Sequence, residues 1–257
     1  MGKLRLYPLL LGEAEVSAKL DIFWSLSKDE TVVKVPILGF LILGGSHPVL
    51  VDTGFRSAER CTSVHKLGPH RTRDEWSVGA QLGRFGITRD DIRYVVLTHL
   101  HYDHVGNCES FPNAEIVVQR EELKAAAAPK ARHIAVGGGG FFYDRMDVAM
   151  LVDRLWAQVA LIEGAEEIIP GVRCEPFWNS HTPGSQVVYV DTDAGRVACI
   201  GDICRKTEIN IEQQIPPGLY YDLESMQMAI YKLKRDADIC LPTHDYKVWE
   251  NYGNDGL

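Results

Sequence analysis

Four side chains able to bind metal ions stand within six residues: His99-Leu100-His101-Tyr102-Asp103-His104. The stretch follows the apolar run Tyr94-Val95-Val96-Leu97, so it falls at the carboxyl end of a strand, where α/β sheets place their sites. In extended backbone, residues two apart face the same way, so His99 and His101 can grip one ion together. A helix beginning at Asp103 would point that carboxylate and His104 toward a neighbouring ion. Imidazole and carboxylate suit zinc and similar divalent ions. A lone histidine is usually a surface or core residue, but three histidines and an aspartate this close together argue against that reading. Three further positions complete a site. His181 sits in the turn Trp178-Asn179-Ser180-His181-Thr182-Pro183-Gly184, Asp202 follows Ile200-Gly201, and His244 follows Leu241-Pro242-Thr243. Each comes after a strand-like run, so all three can face one sheet edge. His47, His65, His70 and His133 have no partner pattern and read as surface or core residues.

The elements that must position these residues are legible as runs. Leu4, Leu6 and Tyr7-Pro8 suggest an opening strand. Further strands are expected at 32–35, 40–43 and 49–51, with Gly44-Gly45 and His47-Pro48 marking a hairpin between the last two. Apolar spacing predicts a helix over 74–85, with Trp76, Ala80 and Leu82 on one face. Strands follow at 92–97 and 115–119, then helix formers at 121–125. Gly137 to Gly140 reads as the most flexible stretch; the segment from Gly137 to Tyr143 could be a lid lined by Phe141, Phe142 and Tyr143 or an ordinary surface loop, and an amphipathic helix over 146–161 follows. Strands return at 173–178, 186–190 and 196–200, then a helix over 223–237 and a last strand at 239–241. This order fits an α/β sandwich with helices outside mixed sheets.

Composition narrows the class. The chain has 257 residues, long enough for one substantial core, and shows no internal repeat or linker. A hydrophobic fraction of 46% excludes a disordered chain. Twenty-seven Lys+Arg against 35 Asp+Glu give a net charge of −8, which argues mildly against nucleic acid or an anionic membrane as partner. The N-terminal apolar run, Leu9 to Leu11, is too short for a signal peptide, and no window could span a bilayer, so a cytoplasmic location is expected. Cys61, Cys108, Cys174, Cys199, Cys204 and Cys240 form no CxxC pair and are expected to be reduced, buried thiols.

His99, His101, Asp103, His104, His181, Asp202 and His244 together resemble the metallo-β-lactamase superfamily, and Val51-Asp52-Thr53-Gly54 matches its early strand-end motif. The resemblance runs from about residue 38 to 245. It implies an αββα sandwich and a single hydrolase domain over residues 1–257. It implies two divalent metal ions, zinc by expectation: His99, His101 and His181 on the first, Asp103, His104 and His244 on the second, Asp202 bridging. A metal-bound hydroxide would be the nucleophile, with Asp103 holding or relaying a proton and Asp52 orienting a ligand histidine.

Within the superfamily the chain is most similar to N-acyl homoserine lactonases. The stretches Phe111-Pro112-Asn113-Ala114 and Gln119 to Leu123, and the helix over 222–233, carry that similarity. The implied reaction is hydrolysis of a cyclic ester, an N-acyl homoserine lactone among the candidates, hence quorum quenching. Two positions depart from the pattern. Arg205 stands where such lactonases often have a Tyr, and could pair with a substrate carboxylate, with Glu208 or with Asp222. Ser185 stands where a second His often follows His181. Further substrate contacts are expected from Phe141, Phe142, Tyr143, Tyr220 and Tyr221. Alternatives are a thioester substrate, as in hydroxyacylglutathione hydrolases, a cyclic amide or β-lactam, or a non-catalytic metal-binding protein. The expected partner is a small molecule, and a homodimer is compatible with the chain.

Overall fold

The computed structural model describes residues 3–18, 31–65, 67–128 and 142–257. Its framework is two β-sheets. The first has seven strands: β1 (Arg5–Ser17), β2 (Val32–Leu43), β3 (Val49–Val51), β4 (His70–Arg71), β5 (Tyr94–Val96), β6 (Glu115–Gln119) and β7 (Val159–Ile162), in the order β4-β1-β2-β3-β5-β6-β7. The second has five: β8 (Glu166–Ile169), β9 (Val172–Pro176), β10 (Gln186–Thr192), β11 (Gly195–Gly201) and β12 (Ile239–Pro242), in the order β12-β11-β10-β9-β8. Both sheets are mixed. Strands β3, β5, β6 and β7 run parallel, as do β11 and β12, while the remaining pairs are antiparallel.

Alternation along the strands builds three apolar layers. Val51, Val96 and Val117 of the first sheet meet Val188, Val190, Val197 and Cys199 of the second in the central layer. Their neighbours Leu50, Val95, Leu97, Ile116 and Val118 point outward, into a layer closed by Val78 and Leu82 of α2 (Val78–Gly83) and Val148 and Leu151 of α5 (Arg145–Val152). On the far side Val187, Tyr189, Ala198 and Ile200 meet Met226, Ala229, Ile230 and Leu233 of α6 (Leu223–Asp236). The result is the expected αββα sandwich. All six cysteines are buried and unpaired, five in these layers and Cys61 in a smaller cluster with Val35, Ile37, Phe55 and Tyr102.

Several elements differ from expectation. The runs at 32–35 and 40–43 form one strand, β2, through Pro36 and Gly39; a Cβ at Gly39 would lie 2.8 Å from the Asp52 carbonyl oxygen, so the glycine lets β2 pass that turn. The helix over 74–85 is broken at Ser77, which is extended and accepts from Ala80 N as the cap of α2. The buried face is therefore Val78, Gln81 and Leu82, and Ala80 is exposed. The helix over 146–161 stops at Val152; Val159 to Ile162 instead joins the first sheet as β7, parallel to β6. Period 3.6 cannot reveal a partner strand that far away in sequence. Strands β4 and β8 and helices α1 (Ala58–Ser63) and α7 (Tyr246–Tyr252) were not expected. The Gly137 to Gly140 stretch, Phe141 and His133 lie outside the described residues. No helix among the described residues is long and apolar enough to cross a membrane.

Candidate metal centre

The seven expected ligands meet at one edge of the sandwich. His99 follows β5, His101 caps α3 (Tyr102–Val105), and Asp103 and His104 lie on α3. His181 sits between β9 and β10, Asp202 follows β11, and His244 follows β12. The two sheets are pinned together here. Gln186 N donates to Thr98 O at 2.9 Å, and Gln186 Nε2 donates to Leu97 O at 2.7 Å. Gly201 has φ +53°, and a Cβ there would lie 2.7 Å from Thr98 Oγ1, so only glycine lets β11 deliver Asp202 this close to the histidine motif.

Ligand atoms converge in three overlapping groups: His99, His101 and His181; His99, His104 and Asp202; Asp103, His104 and His244. Within each group the atoms lie within 4.8 Å of one another. Shared members place two ion positions side by side. Asp202 is central: its Oδ1 is 3.1 Å from His244 Nε2 and 3.4 Å from His104 Nε2, and its Oδ2 is 3.6 Å from His181 Nε2. His101 Nδ1 and His181 Nε2 approach to 3.1 Å, close enough for one ion to take both.

The outer ring nitrogens are held by acceptors, which fixes the tautomers. His104 Nδ1 donates to Asp52 Oδ2 at 2.7 Å, His244 Nδ1 to Pro36 O at 2.8 Å, and His181 Nδ1 to Leu219 O at 3.3 Å. Lone pairs on Nε2 therefore face inward. Asp52 also accepts from Thr98 N and Thr98 Oγ1, each at 2.8 Å, so it orients the motif from behind, as expected. The inward atoms His99 Nε2, His104 Nε2, His244 Nε2 and Asp202 Oδ1, and with them His101 Nε2, are buried and make no hydrogen bond among the described residues. Buried polar atoms are almost always partnered. Orphaned lone pairs of imidazole and carboxylate are a donor set that fits divalent ions.

Electrostatics divide the set: three imidazoles are held neutral, while carboxylate neighbours draw His104 toward the cation, a charge that a bound metal ion would replace. Burial and neighbouring imidazoles hold His99 and His101 well below the usual histidine range, and burial brings His181 to about 4. These three are neutral donors at pH 7. Burial would also lower His104, but Asp52, Asp103 and Asp202 outweigh it and raise it strongly. Asp202, despite its burial, is held far below the carboxylate range by His244 and His104.

The expected substrate contacts are placed as follows. Arg205 is buried, and its Nη1 donates to Asp202 Oδ2 at 3.4 Å. The suggested partners Glu208 and Asp222 are engaged elsewhere, Glu208 with Lys247 and Asp222 as the cap of α6. Phe142 is half-buried with its ring 5.3 Å from His101. Tyr143 is buried, its ring 5.2 Å from His101 and its hydroxyl donating to Glu122. Tyr220 is half-buried, and Tyr221 is exposed, its backbone N donating to Ser180 O. Ser185 accepts from Thr182 N at 2.9 Å and closes the His181 turn without a second histidine.

One supporting residue is not singled out in the sequence. Glu122, on α4 (Arg120–Ala127), falls in the lactonase-like stretch but reads there only as a helix former, with no role at the site. Its buried carboxylate accepts from Leu100 N at 2.9 Å and Gly184 N at 2.9 Å, tying the motif loop to the His181 turn. A Cβ at Gly184 would lie 2.1 Å from Glu122 N, so glycine permits that contact.

Residues 34–244 match the profile of the metallo-beta-lactamase superfamily. N-acyl homoserine lactonase AiiA of Bacillus thuringiensis subsp. kurstaki is 27% identical over 211 residues, covering 79% of this chain and 77% of that one. N-acyl homoserine lactonase AiiB of Agrobacterium fabrum is 27% identical over 197 residues, covering 70% and 69%. A crystal structure of a quorum-quenching N-acyl homoserine lactone hydrolase superposes with a TM-score of 0.80 at 25% identity, over 100% of this chain and 99% of that one. Two facing mixed sheets, outer helices and a histidine–aspartate cluster at one edge define a metal-dependent hydrolase. The chain belongs to the metallo-beta-lactamase superfamily.

Proposed function

We propose that this protein is a dinuclear-metal lactonase of one domain, residues 1–257, acting on a cyclic ester; an N-acyl homoserine lactone is the first substrate to test. The observation that carries the reading is the convergence of buried, unpartnered histidine and aspartate atoms into adjoining groups. The relatives' shared activity supports the choice of a lactone. His99, His101 and His181 would hold one ion, Asp103, His104 and His244 the other, and Asp202 both. Two divalent ions, zinc by preference, would supply polarisation of the ester carbonyl and activation of a water near neutral pH.

The chain's own groups do the rest. Asp103 keeps its Oδ2 3.4 Å from His244 Nε2 and its side chain is 12% exposed, so it is the group offered to take a proton from the attacking water and return it to the leaving alkoxide. Arg205, beside Asp202, would bind an oxygen of the substrate. Phe142 and Tyr143 would wall one side, and Tyr220 and Tyr221 the other. Six buried free thiols support a reducing, cytoplasmic setting. Quorum quenching would be the biological consequence of homoserine lactone turnover, and a homodimer is part of the proposal for solution sizing to check.

Metal analysis joined to a hydrolysis panel tests the reading. The expected result is about two ions per chain and turnover of lactones ahead of thioesters and β-lactams. His101→Ala and Asp202→Asn should each lose metal and drop kcat/KM by at least about a hundredfold. Arg205→Ala should raise KM most for lactones bearing a carboxylate. Metal-free wild-type protein with full activity would sink the mechanism; thioester turnover alone would overturn the substrate class.

A further inference from the structure

Helix α3 carries Asp103 and His104 but is only four residues long. A single turn does not sustain itself in water. Its N-cap, His101, makes no side-chain cap bond. The His104 end of the turn is tied by Thr53, whose N and Oγ1 donate to His104 O at 2.7 and 2.9 Å, and by Asp52 on His104 Nδ1; the Asp103 end is held by Tyr102, whose side chain packs between two histidines outside the ligand set.

The Tyr102 hydroxyl is 2.8 Å from His70 Nε2, and the ring stacks on His65 with centroids 4.7 Å apart at 27°. The backbone N of Tyr102 donates to Phe142 O at 2.9 Å. His70 Nδ1 is 2.9 Å from Gly68 O. A carbonyl only accepts, so Nδ1 carries the proton and Nε2 accepts from Tyr102. Burial lowers the His70 pKa, which keeps this tautomer neutral. His70 is itself fixed: it opens β4, pairs with Ala14 of β1, and meets Phe55 edge-on at 5.4 Å. The Tyr102 side chain, next to Asp103, thus ties this end of the turn to the sheet edge through its hydrogen bond to His70.

We propose that His70 and Tyr102 are a positioning pair that sets Asp103 and His104 for the ion shared with His244. The proposal rests on the dinuclear reading above. Neither residue is offered as a ligand, and both act through α3.

The experiment is metal titration of the metal-free protein with zinc, and with cobalt for its visible spectrum. It compares wild type, Tyr102→Phe, His70→Leu and His70→Gln, with thermal melts of each. Wild type should take up two ions. Tyr102→Phe should lose affinity for one ion by about 10–100-fold, the range seen when a ligand's supporting partner is removed, and leave the other unchanged. One cobalt band should shift and the other persist. His70→Leu should do the same, and His70→Gln, which keeps an acceptor, should recover most of the loss. Tyr102→Phe binding both ions as wild type does, or weakening both equally alongside a lowered melting point, would overturn the positioning role. A wild type that takes up only one ion would remove the dinuclear reading and this inference with it; a two-ion wild type with an unaffected Tyr102→Phe removes the inference alone.

Discussion

Asp52 shows how much one carboxylate behind a metal centre can do. It sits at φ +58°, unusual for a residue with a Cβ, and receives three bonds, from Thr98 N, Thr98 Oγ1 and His104 Nδ1. The backbone strain is tolerated because those bonds over-determine the position. Asp52→Asn can accept fewer of them and would offer its amide N–H to one donor. We expect metal affinity to fall about 10–100-fold with the fold intact, measured by chelator competition. The candidate ligands were legible in the sequence because four of them crowd one motif and the others follow apolar runs. Glu122 was not, since its partners Leu100, Tyr143 and Gly184 lie 22, 21 and 62 residues away. Nothing local distinguishes it from Glu121, which is exposed and pairs with Lys124 on the helix surface.

Among the elements, α6 is the one whose sequence and structure agree most closely. Met226, Ala229, Ile230 and Leu233 recur at helical spacing, Asp222 caps the start, and the stripe covers the outer face of the second sheet. Ile230→Ala should therefore cost about 2–5 kcal/mol, read from denaturant unfolding, because the fully buried side chain leaves a cavity. The strand at 115–119 was equally legible, being an apolar run that ends in helix formers. The break at Ser77 and the strand β7 were hidden for a different reason. A cap and a sheet partner are decided by what lies across the fold, and amphipathic spacing carries no record of it.

At the scale of the whole molecule, charge is concentrated where α1 and α5 meet. Asp144, paired with Arg60 and His65, is pulled up by burial but down further by Arg60, to about 2. Its ordinary value is 3.8, so it stabilises the fold above about pH 4 and that contribution is lost as pH falls toward 2. Asp147, beside Arg56, is pushed up by burial to about 6, so the sign reverses. Its stabilising contribution is full below about pH 4 and is lost as pH rises through 6. Thermal melts from pH 2 to 8 should show Asp144→Asn flattening the acid limb and Asp147→Asn flattening the change between pH 4 and 6.

The six shielded thiols turn the molecule into its own chemical stopwatch. Cys108 lies in the outer layer of the first sheet, Cys174 and Cys199 between the sheets, Cys204 and Cys240 under α6, and Cys61 on the buried side of α1. Burial pushes Cys240 up to about 12 and raises the other five as well, so the native thiols are almost wholly protonated and sluggish toward alkylating reagents. Each reacts only when its own layer opens. Pulsed alkylation read by mass spectrometry should tag Cys61, on a helix of only six residues, first and the central pair last, with metal slowing the rest toward one common rate. Simultaneous tagging of all six without metal would mean that the layers open as one unit.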